Sequence, residues 1–90
     1  MERVHVFYSG RVQGIGFRYA CRSLAQGFSV TGYVRNLQDG RVELIAEGER
    51  GELEGFLGEI QESHLKPFIH QSTIDWQPAT GEWRDFHIEH

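Results

Sequence analysis

The chain is poor in cysteine, in positive charge and in long apolar runs, and each shortage excludes something. Cys21 is the single cysteine among 90 residues, so no internal disulfide can form. Lys and Arg number 9 against 13 Asp and Glu, a formal net charge of -4. A general nucleic-acid or membrane-surface binder would carry a basic face, so neither partner is expected. No segment approaches the roughly 20 apolar residues of a membrane-spanning helix, and "MERVHVFYSG" at the N-terminus lacks the apolar run of a signal peptide. A soluble cytoplasmic protein is the expectation. Close-spaced metal ligands are also missing. His5, His64, His70, His87 and His90 form no ligand pair on one face, so neither a metal nor another cofactor is expected.

What is present suffices for one modest core. With 39% hydrophobic and 12% aromatic residues, the composition fits one folded domain over residues 1–90, and a monomer is expected. Val4, Val6 and Tyr8 alternate with His5 and Phe7, a strand period. Phe17, Ala20, Cys21, Leu24, Ala25 and Phe28 recur at helical spacing, with Gly27 suited to the end of that helix. "SVTGYVRNL" and "RVELIAEG" read as two strands joined by an Asp39-Gly40 hairpin turn. Leu53, Phe56, Leu57 and Ile60 mark a second helix, with Glu49, Glu52, Glu54 and Glu59 on its wet side. "FIHQSTIDW" predicts a fourth strand, irregular near His70 and Gln71, and Phe86 and Ile88 a short last one. The order is β-α-β-β-α-β. It predicts an α+β two-layer sandwich of ferredoxin-like topology, a mostly antiparallel sheet with two helices on one face. That fold hosts many functions and selects none.

The chemistry points to "SGRVQGIGFR", Ser9 to Arg18. Gly10, Gly14 and Gly16 permit backbone angles closed to other residues. Successive N–H groups of Val12, Gln13, Gly14, Ile15 and Gly16 can then converge into an anion-binding nest. A helix starting near Phe17 adds its positive end, and Arg18 in the first turn can fork onto two phosphoryl oxygens. The plainer alternative is a strand-to-helix turn with a surface arginine. Other phosphate chemistries leave marks that are missing. No Lys-Ser or Lys-Thr follows the glycines, Gly27 stands six positions after Cys21 where a cysteine phosphatase needs Arg, and Asp39, Asp75 and Asp85 are isolated.

"GRVQGIGFR" (Gly10 to Arg18) resembles the phosphate-binding signature of the acylphosphatase family, with Ile15 at its usual Val. "GYVRNLQDGRVEL" (Gly32 to Leu44) resembles the family's second signature, and "EGERGELEGFL" and "DWQPATGEWRDFHI" its later portions. The resemblance implies a hydrolase acting on acyl phosphates without metal or cofactor. It assigns phosphoryl binding to the loop and Arg18, and orientation of the attacking water to Asn36. An amide can orient water through hydrogen bonds, though it cannot take a proton at neutral pH; the alternative for Asn36 is a strand-end residue that helps the turn. Inorganic phosphate or sulfate is expected to compete. Two other readings are an acylphosphatase-like binding module, as at the N-terminus of hydrogenase-maturation carbamoyltransferases, and an RNA-binding domain. The latter needs stacking aromatics on the third strand, and "RVELIAE" has none. Cys21 reads as a buried, inert thiol, Asp39 as a turn residue, Trp76 and Trp83 as packing residues, and Arg11, Arg22 and Arg35 as solvated surface arginines, the alternative being that they raise the positive potential around the loop.

Overall fold

The computed structural model describes residues 1–90. The elements follow in the order β1 (Glu2–Gly10), α1 (Phe17–Ala25), β2 (Val30–Asn36), β3 (Val42–Gly48), α2 (Arg50–Glu62), β4 (Ile69–Pro78) and β5 (Phe86–Ile88), with one 3-10 turn at Lys66–Phe68. The strands form one sheet in the order β4-β1-β3-β2-β5. All pairings are antiparallel except β2 with β5, which run parallel. The expected ferredoxin-like, mostly antiparallel sandwich is observed.

Local pattern explains each element. Val4, Val6 and Tyr8 of β1 face the helices and are buried, because alternate residues of a strand share a face. Phe17, Cys21 and Ala25, one turn apart, bury the inner face of α1, and Leu53, Phe56 and Ile60 that of α2. Val42, Leu44 and Ala46 of the central strand β3 complete a single cluster of 16 buried residues. Tyr8 packs on Phe17, and Phe56 on both Phe28 and Phe86, with ring centroids 5.0 to 6.0 Å apart. The phase slip expected near His70 and Gln71 is a bulge. Ser9 pairs with Gln71 and Gly10 with Ile69, leaving His70 unpaired.

The end of α1 falls just before Gly27, as expected, but without a left-handed residue. The helix stops at Ala25, and Gly27 takes no left-handed φ. Gln26 keeps a helical φ, and the last carbonyls are satisfied by tightening: the N–H groups of Gln26 and Gly27 donate to Ser23 O and Leu24 O. Phe28 lies beyond the helix, folded onto the core.

The central strand β3 is buried at all seven positions. Its face away from the helices carries Glu43, Ile45 and Glu47, all under 7% exposed. Glu43 sits between His5 Nε2 at 2.7 Å, Arg35 Nε at 2.6 Å and the Tyr33 hydroxyl at 3.2 Å. Glu47 accepts from the Thr80 N–H and hydroxyl and from the Gly81 N–H, so it ties down the segment between β4 and β5. Burial alone would raise both carboxyls. These donors outweigh it and hold them below the ordinary glutamate value. Arg35 is thus the partner of a buried carboxylate on the far face, not part of the positive surroundings of the glycine loop.

Strand direction places the site. β1 and β2 both run antiparallel to β3, so their C-terminal ends lie at one end of the sheet. Tyr8 and Asn36 both pair with Val42, which puts Asn36 level with Tyr8, two strand spacings away, about 10 Å. Asn36 has the parity of buried Val34, so it lies on the helix side, where the loop enters α1.

Candidate active site

The connection from Gly10 to Phe17 turns on three glycines with φ of 124° at Gly10, 80° at Gly14 and 79° at Gly16. A side chain at any of these angles is strained. The consequence is a run of exposed donors. From Val12 through Tyr19, no backbone N–H group donates a hydrogen bond within the protein; Ala20, bonded to Gly16 O at 3.0 Å, is the first that does. Gly16 occupies the N-cap of α1 and supplies no side-chain cap. The first-turn N–H groups therefore remain available, and the helix dipole adds partial positive charge at the same place.

Six of these residues, Val12, Gly14, Gly16, Phe17, Arg18 and Tyr19, line a recess of about 100 Å³ together with Asn36. Arg18 is half-buried in the first turn of α1. The arginine ion pairs of the protein involve Arg3, Arg35, Arg41 and Arg50, and Arg18 belongs to none. Asn36, also half-buried, forms no side-chain hydrogen bond; the turn that follows is shaped instead by Asp39, whose carboxylate accepts from Arg41 N at 3.1 Å and Nε at 2.8 Å. That backbone N–H first, and the guanidinium with it, holds the Asp39 carboxyl below its ordinary value. The lining contains no carboxylate, imidazole or thiol. Such an arrangement can bind a tetrahedral anion through N–H groups and a guanidinium, beside one uncommitted carboxamide.

Of the residues singled out in the sequence, Val12, Gly14, Gly16, Arg18 and Asn36 meet at this recess, while Gln13 and Ile15 do not line it. Ile15 packs against the core. The Gln13 side chain turns to the β2–β3 hairpin, bonding Leu37 O at 2.7 Å and Arg41 O at 2.9 Å. Cys21 is fully buried, and burial pushes its thiol well above the ordinary range, so it is no nucleophile at neutral pH. Trp76 packs against the core and carries Arg50 3.8 Å from its ring centroid, while Trp83 packs on Tyr33. Sequence reasoning missed Tyr19, which is 55% exposed at the recess with Arg22 stacked 5.2 Å from its ring centroid. Its position directly after Arg18 was the available signal. A larger hollow of about 310 Å³, lined by Arg22, Phe28, Asp85 and Phe86 among others, shares no lining residue with the recess.

The chain is similar to known proteins. A family model, Acylphosphatase, matches residues 4–88. An acylphosphatase of Roseiflexus sp. (strain RS-1) is 42% identical over 88 residues, 98% of this chain and 95% of that protein. One from Marinobacter nauticus is 37% identical over 90 residues, 100% and 98% of the two chains. The crystal structure of acylphosphatase from Bacillus subtilis superposes with a TM-score of 0.91 at 29% identity, covering 100% of both chains. The structure of T. kodakarensis HypF also matches, with a TM-score of 0.84 at 27% identity, but over 12% of that longer chain. A family model over residues 4–88, and acylphosphatases 37% and 42% identical over nearly the whole chain, lead to one conclusion: the chain belongs to the acylphosphatase family.

Proposed function

We propose that the protein hydrolyses acyl phosphates, R–CO–O–PO₃²⁻ plus water giving a carboxylate and inorganic phosphate. The observation that carries this reading is the recess, where unpaired N–H groups, unpaired Arg18 and uncommitted Asn36 converge. The N–H groups of Val12, Gln13, Gly14, Ile15 and Gly16, with Arg18, hold the phosphoryl oxygens, and the guanidinium forks onto two of them. Asn36 orients a water toward phosphorus. A new P–O bond forms from that water as the P–O bond to the acyl group breaks, and the electron pair leaves on the carboxylate. The water's proton passes to a phosphoryl oxygen, since no carboxylate, imidazole or thiol lines the recess to accept it. A carboxylate is a good leaving group, so positioning and charge stabilisation suffice, and the reading invokes no metal or other cofactor.

The reading includes a single domain over residues 1–90 that works as a cytoplasmic monomer on a small molecule, with no nucleic-acid or membrane partner. No helix is long and apolar enough to cross a membrane. Inorganic phosphate and sulfate, which share the tetrahedral anion, compete with substrate. The test is phosphate release from benzoyl phosphate and from phenyl phosphate in the presence of a strong chelator. Rapid turnover of the first and little of the second is expected, because nothing in the recess assists a poor leaving group. Activity lost on chelation and restored by a divalent ion would overturn the mechanism.

A further inference from the structure

Gln13 stands in the middle of the glycine loop, yet its side chain leaves the recess. Its Nε2 donates to Leu37 O at 2.7 Å and to Arg41 O at 2.9 Å. A carboxamide has two N–H donors, and both are used, so the two carbonyls fix the orientation of the amide. They lie at the two ends of the β2–β3 turn, where the Leu37 N–H also donates to Arg41 O at 2.8 Å. Leu37 directly follows Asn36. These two bonds are the only hydrogen bonds between residues 11–16 and the hairpin. The anion cradle and Asn36 otherwise belong to separate pieces of chain, related through β3.

We propose that Gln13 is a positioning residue: its carboxamide sets the distance between the phosphoryl cradle and Asn36, and through it the aim of the attacking water. This rests on the function proposed above. Both bonds are exposed to solvent, so each contributes modestly to stability. Rate is more sensitive, because a displacement of about 1 Å between reacting groups can cost ~10². Removing the clamp therefore changes turnover more than it changes folding or ground-state anion binding.

The test is a double-mutant cycle of Gln13→Ala and Asn36→Ala on the full chain, reading kcat and KM for benzoyl phosphate, the inhibition constant of inorganic phosphate, and Tm. Gln13→Glu accompanies it: the side chain keeps its length, and a carboxylate cannot donate to the two carbonyls. Both Gln13 variants are expected to lose about tenfold in kcat, equivalent to about 1.4 kcal/mol. KM, phosphate inhibition and Tm should stay near the parent values. In the Asn36→Ala background, Gln13→Ala should cost nothing further. Parent-like kcat in either Gln13 variant overturns the proposal. So does a full additional loss in the Asn36→Ala background, or a weakening of phosphate inhibition in step with the loss of rate. In those cases Asn36→Ala is itself impaired, and the functional reading stands. If Asn36→Ala instead turns over like the parent, the role of Asn36 fails and the clamp has nothing to aim.

Discussion

Arg18→Ala should stabilise the protein while disabling it. Arg18 lies in the first turn of α1, which has no acidic residue and no side-chain cap. Its charge meets the positive end of the helix dipole and a run of unpaired N–H groups, and no carboxylate partner offsets the repulsion. Removing a cation from such a position should yield about 0.3–1 kcal/mol, and Ala is at least as good a helix former as Arg. For a domain of this size that is an increase in Tm of about 1–8 °C. The catalytic loss is larger and opposite in sign. A hydrogen bond to a charged group is worth about 1.5–3 kcal/mol, so a two-pronged contact to the phosphoryl group contributes about 3–6 kcal/mol, roughly 10²–10⁴ in kcat/KM. Arg18→Lys keeps the charge without the planar fork and should lose about 10–10². The assay pairs phosphate release from benzoyl phosphate with thermal melts at rising inorganic phosphate. Ligand that binds only the folded state raises Tm, so the parent should climb with phosphate and Arg18→Ala should hardly respond. Parent-like turnover in Arg18→Lys, or a fall in Tm for Arg18→Ala without phosphate, would refute the reasoning.

Asn36→Ala should lower kcat by ~10²–10³ and leave KM, phosphate affinity and Tm near the parent values, since the carboxamide has no partner in the protein to orphan; steady-state kinetics with a melt separates this from a turn-shaping role, which predicts the reverse. Cys21→Ser places a hydroxyl among Phe17, Ala25 and the rest of the core, so stability should fall by about 1–3 kcal/mol with kcat retained, as denaturant titration and kinetics would report. Glu43 and Glu47 have folded values below the ordinary one, so the stability they supply is complete above about pH 4.3 and is lost as pH falls below it. Urea midpoints measured from pH 7 down to pH 3 should show that acid limb, and Glu47→Gln should flatten it.

Much of the site was legible because it is local. Gly10, Gly14 and Gly16 announce positive φ by their chemistry alone, and Arg18 follows within one helical turn. The alternation of Val4, Val6 and Tyr8 gave the buried face of β1, and Asp39-Gly40 the hairpin that leaves Asn36 at a strand end. What was not legible depends on distant partners. Glu43 and Glu47 look like the wet positions of "VELIAEG", yet His5 lies 38 residues before the first and Thr80 33 residues after the second. The same holds for the parallel pairing of β5 with β2 and for the reach of Gln13 to a hairpin 24 and 28 residues away. Gly27 marked the helix end correctly, just past the C-cap Gln26, though without a left-handed φ: glycine permits such an end but does not impose one.

Hydrolysis of benzoyl phosphate in ¹⁸O-labelled water, with chelator present, follows the oxygen that Asn36 is assigned to aim. Attack at phosphorus within a cradle of amides and Arg18 predicts the label in inorganic phosphate and unlabelled benzoate. Label appearing in benzoate would mean that water attacks the acyl carbon, and the assignment of the recess as a phosphoryl-transfer site would be wrong.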